Sequence, residues 1–126
     1  MARRAGGRIA VVVPVLERPT AVLDALDSVR AQRRAPDALV IVDDGSGDAT
    51  PESVRRWLEG VKLPFPARLL TERHRGVSAA RNRGVSAAGA VDWIAFLDSD
   101  DLWARGSSGG APRRPRGVSQ GGGVHL

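Results

Sequence analysis

At 126 residues, with 42% hydrophobic and 26% charged residues, the chain has the size and balance of one soluble globular domain. It has no cysteine and two histidines, which excludes disulfides, thiolate metal sites and a histidine-rich zinc centre. Residues 104–126 hold four of the 19 basic residues and none of the 14 acidic ones, so most of the net charge of +5 belongs to this stretch and the body is nearly neutral.

A nearly neutral body lacks the basic face that a nucleic-acid partner needs. No apolar run approaches the roughly 20 residues that span a bilayer, so membrane association is not indicated. Ile9–Val13 follows Arg3, Arg4 and Arg8 but is too short for a signal-peptide core, and a cytoplasmic setting is the default expectation.

The β-branched run Ile9–Val13 predicts a central strand covered on both faces, ended by Pro14. Val22, Leu23, Leu26 and Val29 recur at helical spacing within Thr20–Gln32. Ala38–Val42 predicts a second strand, which runs into Asp43-Asp44-Gly45-Ser46-Gly47-Asp48. Thr50-Pro51-Glu52 opens a second helix, with Thr50 as cap and Pro51 in the first turn. Arg68–Thr71 predicts a short third strand. Gly76–Ala88 predicts a third helix that Gly84 weakens. Trp93–Leu97 predicts a fourth strand. The β-α-β-α-β-α-β order argues for an α/β fold, a Rossmann-like parallel sheet of about four strands with helices on both faces.

In such sheets ligands bind beyond the carboxyl ends of the strands. Three strand ends carry polar or special residues: Pro14–Arg18, Asp43–Asp48 and Asp98–Asp101. Strand alternation places Asp98 and Asp100 on one side and Ser99 on the other. Two converging carboxylates suit Mg2+ or Mn2+ with substrate phosphates completing the shell. An acidic turn after a strand is the plain alternative. Asp43 or Asp44 can accept a hydrogen bond from a base imide or a ribose hydroxyl, and an Asp-Gly turn is the plain alternative there. Arg81 can meet a diphosphate or simply be a solvated helix arginine. His74 reads as a loop histidine without a special role. Gly45-Ser46-Gly47 lacks the third glycine of a dinucleotide loop and follows the second strand.

Four segments resemble the N-terminal half of family 2 glycosyltransferases over residues 8–103. They are Val-Val-Pro-Val-Leu-Glu-Arg-Pro (12–19), Val-Asp-Asp-Gly-Ser-Gly-Asp-Ala-Thr (42–50), Gly-Val-Ser-Ala-Ala-Arg-Asn-Arg-Gly (76–84) and Phe-Leu-Asp-Ser-Asp-Asp (96–101). The resemblance implies a GT-A fold that binds a nucleoside-diphosphate sugar. It places Pro14, Val15, Leu16, Glu17, Asp43 and Asp44 against the nucleoside and Arg81 near the nucleotide. Asp98-Ser99-Asp100 then looks like the family's DXD motif, with Asp98 towards the ribose or sugar and Asp100 on the metal. The expected activity is inverting, metal-dependent sugar transfer to an acceptor hydroxyl that the sequence does not name.

Two features depart from the family pattern. Leu16 and Glu17 stand where the family usually has Tyr and Asn. Residues 104–126 are rich in glycine, arginine and proline and contain no Asp or Glu, so no general base can come from them. The sequence therefore predicts an incomplete donor domain over 8–103 and a disordered tail over 104–126, as a truncated or frameshifted product would give. The alternatives are a non-catalytic nucleotide-binding remnant and a haloacid-dehalogenase-like phosphatase, which also places Asp-x-Asp after an apolar strand.

Overall fold

The computed structural model describes residues 7–98. They form β1 (Ile9–Val15), α1 (Ala21–Arg30), β2 (Ala38–Asp43), α2 (Thr50–Gly60), β3 (Ala67–Thr71), α3 (Val77–Ala88) and β4 (Trp93–Phe96). The expected elements are all present, with ends that differ by a residue or two. Ser99, Asp100 and the expected tail over 104–126 lie outside the described residues.

The strands make one parallel sheet in the order β3-β2-β1-β4. The chain steps outward from β1 to β3, then crosses back over β1 to reach β4. Right-handed crossovers put the helices of opposite steps on opposite faces. Accordingly α1 and α2 cover one face and α3 the other. Odd-numbered β1 residues Ile9, Val11, Val13 and Val15 pack with Val22, Leu26, Val29 and Val54. Even-numbered Ala10 and Val12 pack with Ala80, Val91 and Ile94. Both sides of β1 are therefore core, which is why its sequence is an unbroken apolar run. Among the described residues no helix is long and apolar enough to cross a membrane.

Pro14 does not end β1, contrary to the sequence expectation. It stays in the strand opposite Val42, and Val15 continues it opposite Asp43. Odd residues of β1 bond towards β2, as Asp37 N–H to Ile9 O and Asp44 N–H to Val15 O show. Even residues bond towards β4, the last being Val12 O, which accepts from Leu97 N–H. Pro14 faces the β4 side just past that final bond; the next rung would need its N–H, so the proline ends the pairing with β4 while β1 continues alongside β2.

The start of α2 also differs from expectation. Thr50 is fully buried inside the first turn, and Asp48 does the capping instead. Its Oδ1 accepts from the Thr50 hydroxyl and from the Thr50 N–H at 2.9 Å. The Thr50 hydroxyl, then the Thr50 backbone N–H, hold the Asp48 carboxyl below its usual 3.8. A carboxyl with a lowered folded-state pKa stabilises the fold above its unfolded value and loses that contribution as pH falls through the folded one. Asp48→Ala should therefore lower the thermal midpoint at pH 7, and the gap from the parent should close progressively below pH 3.8. Circular-dichroism melts at both pH values measure it, and a gap that persists unchanged in acid would count against this assignment.

Candidate functional site

Strand order reverses between β1 and β4, since the chain builds outward from β1 to β3 and then returns to the other side of β1; in open α/β sheets the crevice outside the strand ends at such a switch point receives the ligand. Pairing register sets what stands around it. Val15 of β1, Asp43 of β2 and Thr71 of β3 are level with one another. Val12 is level with Phe96, so continuing β4 by two residues brings Asp98 to the level of Pro14. The three polar strand ends identified in the sequence thus reach the same edge of the sheet. Asp43 and Asp98 flank β1, on strands about 10 Å apart by ordinary strand spacing.

The end of β2 is tied to both neighbouring loops. Asp43 is almost fully buried. Its Oδ2 accepts from the Ser46 N–H at 3.0 Å and its Oδ1 from the Ser46 hydroxyl, closing a tight turn. The Ser46 Oγ in turn accepts from the Glu17 N–H at 2.8 Å, and the Glu17 Oε2 accepts from Gly47 N–H at 3.3 Å. Glu17 adopts a positive φ of 52° to do this. Asp43, Ser46 and Glu17 therefore fasten the loop after β1 to the loop after β2.

Asp44, also buried, reaches the other way. Its two carboxylate oxygens accept from the Arg75 and Gly76 N–H groups at 2.9 and 3.0 Å. These donors sit at the entry to α3, where a negative charge is favoured by the helix dipole. The His74 Nδ1 lies 3.3 Å from Asp44 Oδ2 and 3.2 Å from the Asp44 carbonyl oxygen. Gly45, at φ 84°, lets the two backbones close: a Cβ there would come within 2.7 Å of the His74 nitrogen.

α3 brings the cation to the edge. Arg81 Nη2 donates to Asp98 Oδ1 at 3.0 Å, and the guanidinium carbon stands 5.6 Å from the centroid of the Phe96 ring. Asp98 remains half exposed. Its Oδ2 has no hydrogen-bond partner among the described residues.

The expected site residues thus take several forms. Arg81 and Asp98, 17 positions apart in sequence, are in direct contact. Asp43 and Asp44 lie at the crevice, with carboxylates engaged by backbone N–H groups. Pro14 and Val15 are buried in the strand, Leu16 is half-buried and Glu17 is exposed in the loop beyond. Ser99 and Asp100 lie outside the described residues. Sequence reasoning missed Ser46, His74 and Phe96. For Ser46 a signal existed: a serine three residues after an aspartate is a turn pattern. Nothing local marks His74 or Phe96, whose partners come from other elements.

The family described as "Glycosyl transferase family 2" matches residues 10–108. Among curated relatives, the "Succinoglycan biosynthesis protein ExoO" of Rhizobium meliloti is 39% identical over 95 residues, covering 74% of this chain and 25% of that protein. The "Putative glycosyltransferase EpsH" of Bacillus subtilis is 32% identical over 93 residues, covering 74% of this chain and 26% of its own length. The chain thus spans about a quarter of the length of these relatives. The solved mannosyltransferase PcManGT from Pyrobaculum calidifontis, in complex with GDP-Man and Mn2+, superposes with a TM-score of 0.72 at 30% identity, covering 82% of this chain and 31% of that one. S. aureus TarS 1-349 in complex with UDP-GlcNAc superposes with a TM-score of 0.65 at 26% identity, covering 79% and 28%. The parallel sheet, its switch point and these neighbours agree on a GT-A-like fold, and the match across residues 10–108 makes the chain a member of glycosyltransferase family 2.

Proposed function

We propose that this chain forms the donor-binding half of a glycosyltransferase that moves a sugar from a nucleoside diphosphate to an acceptor hydroxyl, with inversion and with help from a divalent cation. The observation that carries it is the meeting of Arg81 and Asp98 at the mouth of the β1/β4 switch. A guanidinium offers a fork of donors to diphosphate oxygens. A half-exposed carboxylate with one oxygen still open suits a hard cation that takes oxygen ligands and keeps substrate phosphates in its shell. The donor set therefore fits Mg2+ or Mn2+, with Asp98 as one ligand and Asp100 as the other. When bound, the ion supplies neutralisation of the charge that builds on the departing nucleoside diphosphate.

The chain's own residues do the rest. Pro14, Val15, Leu16 and Glu17 line the nucleoside side through the loop that Ser46 holds in place. Asp43 and Asp44 shape the floor of that pocket, since their carboxylates fix the two loops that border it. Arg81 and Ser99 serve the diphosphate end. No general base is assigned among residues 7–98. The solved neighbours carry GDP-Man and UDP-GlcNAc, which supports a nucleotide sugar as donor class and leaves both bases to be tested.

Isothermal titration of GDP and of UDP into the chain, with and without Mn2+, tests this. Binding of at least one nucleotide should depend on the cation. Asp98→Ala should weaken it on the order of 30-fold, the effect of losing a charge-assisted contact. A folded chain that binds neither nucleotide in a cation-dependent way would overturn the proposal.

A further inference from the structure

Among the described residues the buried side-chain atoms without a hydrogen-bond partner are Glu72 Oε2 and Arg81 Nε. The second belongs to the residue that meets Asp98. Arg81 spends Nη2 on Asp98 Oδ1 at 3.0 Å and rests its guanidinium near the Phe96 ring, while its buried Nε–H goes unsatisfied. A buried donor without an acceptor carries a cost. The pose against Asp98 is therefore not the one that satisfies this guanidinium best. An acceptor with several oxygens, engaging Nε and an Nη together, would satisfy it better.

Asp98, for its part, is already neutralised by a cation from within the chain. We propose that Arg81 is a resident counter-ion for Asp98 that the divalent cation must displace, and that nucleoside-diphosphate oxygens draw Arg81 away, so that cation and nucleotide load as a coupled pair. This rests on Asp98 belonging to the donor site proposed above. The cation alone meets Arg81 across the carboxylate it needs. The nucleotide alone meets Arg81 already committed to Asp98. With both present, Arg81 moves to the phosphates and Asp98 is released to the cation. By linkage, whatever factor the nucleotide adds to cation affinity, the cation adds to nucleotide affinity.

The test uses the full 126-residue chain and Mn2+ alone as first probe, read from the paramagnetic resonance signal of free Mn2+. A second series adds GDP or UDP, corrected for Mn2+ held by free nucleotide. Arg81→Met should raise affinity for Mn2+ alone about fivefold, the scale of a part-exposed ion pair. It should also shrink the gain in Mn2+ affinity that nucleotide brings. Arg81→Lys keeps the charge and should leave Mn2+ alone weakly bound. In an Asp98→Asn background, Arg81→Met should leave the affinity for Mn2+ alone unchanged. Thermal melts without ligand establish that each variant is folded. If Arg81→Met leaves Mn2+ affinity unchanged or lower while nucleotide still binds with Mn2+, the exchange is wrong and the donor site stands. If the folded parent binds neither Mn2+ nor nucleotide, both fall together.

Discussion

Asp44→Ala is expected to lower the unfolding free energy by about 3 kcal/mol, the range for removing a buried charged acceptor from several donors. The loss has two parts. The Arg75 and Gly76 N–H groups lose their acceptor. The entry to α3 also loses the negative charge that its dipole favours. Asp44→Asn keeps one acceptor oxygen without the charge and should cost about half as much. Urea denaturation with an unchanged slope measures both. An alanine variant as stable as the parent would show that water takes over the N–H groups and that the carboxylate is dispensable for the fold. The expected damage extends to ligand binding, because α3 carries Arg81 one turn beyond the anchored entry.

Gly84→Ala is expected to destabilise, by about 2 kcal/mol, at a position where helix propensity alone predicts a gain of about 1 kcal/mol. α3 lies so close to β1 that a Cβ at residue 84 would stand 2.3 Å from Val12 Cγ1. Val12 is fully buried in a strand flanked on both sides, and its branched side chain has few rotamers to escape into. Val12→Ala should relieve the clash, so the double variant Val12→Ala/Gly84→Ala should lose less than the two single losses together. Chemical denaturation of the four proteins gives the coupling. Strictly additive losses would mean that α3 simply shifts away from the sheet.

These two residues also show how far the sequence could be read. The apolar run Ile9–Val13 and the acids after Phe96 announced the sheet and its ligand edge, because burial on both faces and strand-end acids leave local traces. Gly84 looked like a flaw in a helix because the sequence does not show how near Val12 comes. Asp43 and Asp44 read as ligand groups, and the structure adds that their carboxylates hold loops up to 32 positions away. No periodicity encodes a bond of that span. Pro14 read as a strand terminator because the sequence does not show which neighbouring strand its nitrogen faces. The phosphatase alternative shared the Asp-x-Asp after an apolar strand, and the family match over residues 10–108 removes it.

The order β3-β2-β1-β4 bears on how firmly the site is held. Among the described residues β4 pairs along four positions and with one neighbour only, whereas β1 and β2 are each flanked on both sides. Segments with few shared hydrogen bonds open more readily than the centre of a sheet. Asp98 sits directly past this least-tethered strand, and Arg81 reaches it from a helix packed on the two best-tethered ones. Amide protons of β4 should therefore exchange with solvent sooner than those of β1. A ligand that bridges Arg81 and Asp98 would slow that exchange, because it would join the rigid centre of the sheet to its loosest margin.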